Sequence, residues 1–235
     1  MAMRFDSVES VLSGVESGQT IMVGGFGLIG APLTLIDGLT RKDVSDLTVI
    51  SNNLGEAGEG LGALLRQQKI RKAIGSYFTS NREVGEAYQR GEIHLQLLPQ
   101  GTLAEAMRAG GAGIGGFYTK TGVGTQLADG KEEREIDGER YLFEPAIRAD
   151  VALIRAHKAD TLGNLIYYKT ARNFNPIMAT AANLVIAEVD EIVAPGELSA
   201  EEIVTPHLFV DRLLVAQKLL TKEGVVDREC SRIDC

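Results

Sequence analysis

Cysteine is almost missing from this chain. The two present, Cys230 and Cys235, fall in the last six residues. A disulfide framework needs cysteines spread through the fold, so none is expected, and the setting reads as reducing. Histidine is scarce too. His94, His157 and His207 stand far apart, with no second ligand at metal-site spacing, and no metal is expected. His94 alternates with Ile93 and Leu95 and reads as a solvent-facing strand residue. No apolar run approaches the length of a membrane-crossing helix. Residues 1–6 carry no apolar stretch ahead of a small-residue cleavage site, so no signal peptide is read there. Basic residues are in deficit, 24 against 32 acidic ones for a net charge of −8. That balance argues against nucleic acid or an anionic membrane as partner. What remains is ordinary globular composition, 44% hydrophobic and 24% charged over 235 residues, read as a soluble cytoplasmic α/β chain.

Periodicity supplies the architecture. Val8, Val11, Leu12 and Val15 recur at helical spacing behind Ser7, a fitting N-cap. Thr20–Val23 reads as a short buried strand, residues 24–30 as a loop, and 32–39 as a helix opened by Pro32. Strands over 46–51, 72–77 and 93–98 alternate with helices around Leu61, Leu64 and Leu65 and over Arg82–Gln89. Pro99-Gln100-Gly101 ends the last strand, and Thr102 and Glu105 have capping-box spacing for the helix after it. Such alternation predicts an open, mostly parallel sheet with helices on both faces. Residues 110–145 interrupt it with a glycine cluster and with Asp137-Gly138, a hairpin signal, and predict a small β-rich insertion. Apolar runs resume at 151–156, 165–168, 177–182, 184–188 and 208–215. The expectation is one domain over 1–217 and a polar, peripheral tail over 218–235.

Gly25-Phe26-Gly27-Leu28-Ile29-Gly30 follows a predicted strand and precedes a predicted helix, as a dinucleotide-binding fingerprint does. That reading needs an acidic residue about 20 positions on, at the next strand end. Ser51-Asn52-Asn53 stands there, with no carboxylate. Glycines at such a turn also serve packing alone. Phe26 is poor turn chemistry and predicts a wall or ligand for its ring to touch.

The stretch Gly24-Gly25-Phe26-Gly27-Leu28-Ile29-Gly30-Ala31-Pro32 resembles the signature of family I CoA-transferase A subunits. Further motifs follow in the family's order: Ser51-Asn52-Asn53, Leu98-Pro99-Gln100-Gly101-Thr102, Gly110-Gly111-Ala112-Gly113, Thr121-Gly122-Val123-Gly124-Thr125, and Ala171-Arg172-Asn173-Phe174-Asn175-Pro176. The resemblance spans about residues 5–215. It implies an α/β fold with a β-rich insertion, and an enzyme moving coenzyme A between a short-chain acyl-CoA and a free carboxylate. It also implies pairing with a B subunit, expected as an A2B2 heterotetramer, and coenzyme A or acyl-CoA as substrate with no tightly bound cofactor. The family's nucleophile is a glutamate of the B subunit. Asn52 stands at the comparable strand end here, so the nucleophile is expected on the partner. The wording of the motifs is nearer to the acetate/acetoacetate and succinate/3-oxoacid types than to the 3-oxoadipate type.

Site expectations follow. Gly24, Gly25, Phe26, Gly27, Leu28, Ile29 and Gly30 are assigned by resemblance to the coenzyme A loop, with Phe26 on the pantetheine channel. Gln100 is the expected oxyanion donor. Independently of resemblance, it lies with the glycine loop and Asn52 beyond the carboxyl ends of strands, where ligands of open α/β sheets bind. Asn52 and Asn53 either position substrate or brace the structure. Arg172 and Asn173 read as a buried hydrogen-bonding network, and Glu56 and Glu59 as solvated loop charges. Two other readings stay open: a dinucleotide-binding oxidoreductase, and a non-catalytic acyl-CoA sensor on the same scaffold.

Overall fold

The computed structural model describes residues 2–221 and 224–228. Cys230 and Cys235 lie outside them. In chain order the elements are β1 (Met3–Phe5), α1 (Val8–Val11), β2 (Thr20–Val23), α2 (Leu33–Arg41), β3 (Leu47–Ile50), α3 (Leu61–Arg66), β4 (Ile70–Gly75), α4 (Arg82–Gln89) and β5 (His94–Leu97). Next come α5 (Gln100–Gly111), β6 (Gly116–Thr119), β7 (Glu133–Ile136), β8 (Glu139–Pro145), β9 (Ala149–Asp160), β10 (Leu165–Ile166), α6 (Asn175–Thr180), β11 (Ala182–Val193), β12 (Arg212–Val215), β13 (Lys218–Thr221) and β14 (Gly224–Asp227).

The main sheet runs β1-β12-β11-β9-β2-β3-β4-β5, parallel throughout, with β10 antiparallel on β9. Alternate strand residues feed two cores. Ile21, Val23, Val49, Val151 and Leu153 pack under α1 to α4, whereas Met22, Ile50, Ala152 and Ile154 pack under α5 and α6. The chain winds one way from β2 to β5, crosses back, and winds the other way from β9, so the strand order reverses between β2 and β9. That reversal opens a crevice at the carboxyl ends of the strands. β9 overshoots β2, since Val23 pairs with Leu153 while β9 continues to Asp160. Arg155 and His157 therefore stand beyond the glycine loop. Among the described residues no helix is long and apolar enough to cross a membrane.

Several expectations are met closely. Ser7 caps α1, its Oγ accepting the Ser10 N–H at 3.2 Å. His94 is exposed. β6, β8 and β7 form a separate three-stranded sheet, and Asp137 and Gly138 turn its hairpin with φ of 51° and 75°, both positive as a type I′ turn requires.

Others are corrected. The capping box does not form. Pro99 caps α5 three residues earlier than expected, the Thr102 side chain is buried, and Glu105 pairs with Arg108 instead. Run 177–182 is divided between α6 and the start of β11. β1, three residues at the sheet edge, had no periodicity to announce it. Within 218–235, β13 and β14 pair antiparallel, and the Gln217 and Lys218 N–H groups each donate to Thr34 Oγ1 of α2 at 2.9 Å.

Candidate functional site

The glycine loop is a tight hairpin. Phe26 and Ile29 exchange backbone hydrogen bonds of 3.0 and 3.2 Å, and Gly27 at the corner takes φ +61°. Two asparagines clasp it. Asn173 Oδ1 accepts the Gly25 N–H at 3.1 Å while its Nδ2 donates to Ile29 O at 3.0 Å. Asn175 Nδ2 donates to Gly30 O at 3.0 Å. The clasp explains the glycines at the loop ends. A Cβ on Gly24 would run into the Asn175 carboxamide, and one on Gly30 into the Ala171 carbonyl and Asn173 Nδ2. The backbone N–H groups of Gly24, Gly25, Phe26, Ile29 and Ala31 are all used inside the protein. A pyrophosphate cradle needs such groups free, so the geometry disfavours the dinucleotide reading.

The loop divides its side chains between two cavities. Phe26, 48% exposed, lines a recess of about 290 Å³ with Gln100, Gly101, Ala104, Asn173, Phe174 and Ile177. Leu28, Ile29 and Gly30 face a second cavity of about 450 Å³, bordered by Arg155, His157, Tyr168 and Lys218. Gly24 and Gly25 are buried behind the clasp. The structure thus joins Phe26 to Gln100 and sets Leu28 to Gly30 apart from them.

Gln100 sits in the first turn of α5, where the helix dipole favours negative charge. It is linked to the end of β3, because Asn52 Nδ2 donates to Gln100 Oε1 at 3.5 Å and to Ser76 Oγ at 2.8 Å. Asn52 is fully buried, and among the described residues its Oδ1 has no hydrogen-bond partner. Asn53 has turned away to brace its own turn, its Oδ1 accepting the Gly55 N–H at 3.3 Å. Glu56 and Glu59 are exposed, as expected. Arg172 is also exposed, contrary to expectation, and the buried network belongs to Asn173 and Asn175.

A charged cluster escaped the sequence reading. Glu188, wholly buried in β11, accepts the Leu35 N–H of α2 at 3.1 Å and lies 3.4 Å from Arg155 Nη1. Burial outweighs these partners and lifts its carboxyl to about 7. Arg155 also pairs with Asp190, which holds His157 Nδ1 at 2.9 Å. A carboxylate at the end of the apolar run 184–188 was the available signal. Among the described residues no cluster of His, Cys, Asp and Glu has the form of a metal site.

A family model described as Coenzyme A transferase matches residues 5–216. The chain is 54% identical over 215 residues to the A subunit of the succinyl-CoA:3-ketoacid coenzyme A transferase of Xanthomonas campestris pv. campestris (strain B100), across 91% of this chain and 89% of that one. It is 50% identical over 212 residues to the A subunit of the 3-oxoadipate CoA-transferase of Pseudomonas putida, across 89% of this chain and 92% of that one. Among solved structures, an acyl-CoA transferase from Escherichia coli O157:H7 superposes with a TM-score of 0.81 at 22% identity, over 91% of this chain and 47% of that longer chain. That last likeness speaks for the fold alone.

Proposed function

The chain belongs to the coenzyme A transferase family, and from that premise we propose that it is the A subunit of a 3-oxoacid or acetate type CoA-transferase whose attacking carboxylate comes from a partner B subunit. One observation carries the division of labour. The recess beside Gln100 is lined by an amide donor, aromatic and aliphatic walls and asparagine and, among the described residues, by no carboxylate, thiol or amine. It offers stabilisation without a nucleophile. Glu188 does not fill that role, being sealed beneath α2 and outside both cavities.

The reaction then runs in balanced steps. The partner's glutamate attacks the acyl-CoA carbonyl, and the CoA thiolate leaves to give an acyl-glutamyl anhydride. The thiolate attacks the glutamyl carbonyl and releases the first acid, leaving a glutamyl-CoA thioester. The second acid reverses both steps. Thioester energy is retained, so no nucleotide is consumed. A carboxylate is a weak nucleophile in water, and a shared cavity that sheds its hydration makes covalent catalysis feasible.

Gln100 Nε2 serves as a donor to the oxyanion of each tetrahedral intermediate. Phe26 serves as an apolar wall for the pantetheine arm. With so many loop amides spent internally, the glycine loop meets coenzyme A through side chains more than through its backbone. Asn52 holds Gln100, and Asn53 shapes the turn.

The test is co-expression with the B-type partner as a heterotetramer, followed by CoA transfer from succinyl-CoA or acetoacetyl-CoA to acetate, acetoacetate and 3-oxoadipate. The complex is expected to turn over and the isolated chain to be inactive. Borohydride is expected to trap the thioester on the partner only. Trapping on this chain, or enzymatic turnover by it alone, overturns the proposal. Gln100→Ala in the complex is expected to lower turnover by about two to three orders of magnitude.

A further inference from the structure

The Ser76 hydroxyl lies just past the end of β4, and the proposed reaction gives it no task. It makes the shorter hydrogen bond to the Asn52 carboxamide, 2.8 Å from Nδ2, against 3.5 Å for the one to Gln100 Oε1. The Asn52 main chain is fixed from the same place, its carbonyl accepting the N–H groups of Ser76 and Tyr77 at 3.0 Å each. The rest of the Asn52 side chain has no polar anchor, since its Oδ1 is buried and unpaired. Both acceptors share the two N–H donors of one NH2 group, and the nearer of them is Ser76.

The orientation has a chemical consequence. A carboxamide presents either oxygen or nitrogen to a ligand. With Asn52 Nδ2 beside Gln100 Oε1, the Gln100 oxygen is engaged and its Nε2 is the group left for the recess. A developing oxyanion needs a donor there, and an oxygen in that place would repel it. If Asn52 drifts, no other hydrogen bond holds Gln100 in that sense, because its side chain has no second partner among the described residues.

We propose that Ser76 is a positioning residue for CoA transfer, holding Asn52 so that Gln100 faces the recess with its donor nitrogen. The inference rests on the reading of Gln100 as oxyanion donor. Its test is a double-mutant cycle in the co-expressed heterotetramer. Ser76→Ala is expected to lower kcat about 2–10-fold with KM for the acyl-CoA nearly unchanged, the size expected from one hydrogen bond acting through a second residue. In a Gln100→Ala background the same change should cost nothing more. Additive losses, or full kcat in Ser76→Ala, overturn the proposal. A crystal structure of the Ser76→Ala complex gives a readout that needs no activity. Displaced or doubled Asn52 and Gln100 amides support the proposal, and amides in their original places overturn it. Should the wild-type complex move no coenzyme A, the functional reading fails by that result, and the crystal structure alone decides whether Ser76 holds the pair.

Discussion

Two glycine loops leave adjacent strands with the same pair of backbone hydrogen bonds and opposite chemistry. After β2, Phe26 and Ile29 exchange hydrogen bonds of 3.0 and 3.2 Å; after β3, Glu56 and Glu59 do so at 3.2 and 3.1 Å. Each loop is bounded by glycines of positive φ, Gly25 and Gly30 in one, Gly55 and Gly60 in the other. The tips differ. Phe26 and Ile29 leave about half of their apolar surfaces bare, whereas the second loop displays two carboxylates. So do the supports. The first loop is clasped from outside by the Asn173 and Asn175 carboxamides, while Gly58 of the second rests on an ion pair, its N–H on the Glu83 carboxylate and its Cα beside the end of the Arg66 side chain. A glycine pattern specifies a turn. What the turn is for is written in its tips and in what holds it.

The largest effect should separate the two supports. Gly30 has φ +72°, and a methyl there would meet the fixed Ala171 carbonyl; Gly58 has φ +76°, and its methyl would meet a movable guanidinium. Gly30→Ala should therefore destabilise by roughly 3 kcal/mol, backbone strain plus overlap. Gly58→Ala should cost only about 1 kcal/mol, from strain alone. Denaturant melts of the two variants decide it, and equal losses would remove the distinction between a loop backed by main chain and one backed by the end of a side chain.

This contrast also shows what was legible beforehand. Strand Thr20–Val23 and helix Arg82–Gln89 were readable to the residue, because local apolar spacing and turn residues agree with the fold there. Gln100 could be placed at the right sheet edge from strand order alone. The clasp could not. Asn173 lies 148 residues from Gly25 in the chain, and no local period announces a partner so distant. The false capping box failed for a related reason, since Thr102 and Glu105 match a local rule that Pro99 overrides. Arg172 and Asn173 were grouped as neighbours, yet the backbone at Asn173, with φ 20°, sends them to different environments.

A functional contrast should come next in size. Phe26→Ala with Ile29→Ala should raise the KM for acyl-CoA roughly tenfold, because two half-exposed apolar side chains no longer cover the ligand, with little change in Tm. Steady-state kinetics of the heterotetramer provide the measurement. An unchanged KM would detach the apolar tips from the substrate.

The carboxyl buried beneath α2 should add a pH dependence. Glu188 carries a carboxyl near 7, above its ordinary 4.5, so the folded protein holds a proton that the unfolded chain has released. Its contribution to stability is full below about 4.5 and is lost as pH rises through about 7. The difference in Tm between wild type and Glu188→Gln should therefore shift against wild type across that window. A constant difference would mean that the carboxyl titrates normally despite its burial.

The smallest effect belongs to the acidic tips. Glu56 and Glu59 are the first carboxylates after the end of β3, and a chain carrying its own nucleophile there would use one of them. Their exposure argues otherwise, since a hydrated carboxylate keeps the water shell that weakens its attack. Glu56→Gln with Glu59→Gln keeps the side-chain shape, and the mutual hydrogen bonds of the turn are backbone to backbone, so the loop should survive intact. Turnover of the heterotetramer should stay within about twofold, the scatter expected for surface substitutions of about 0.5 kcal/mol or less. Because Gln cannot form the glutamyl thioester, a collapse in turnover with an unchanged Tm would move the nucleophile onto this chain, and the apolar and acidic loops would exchange roles.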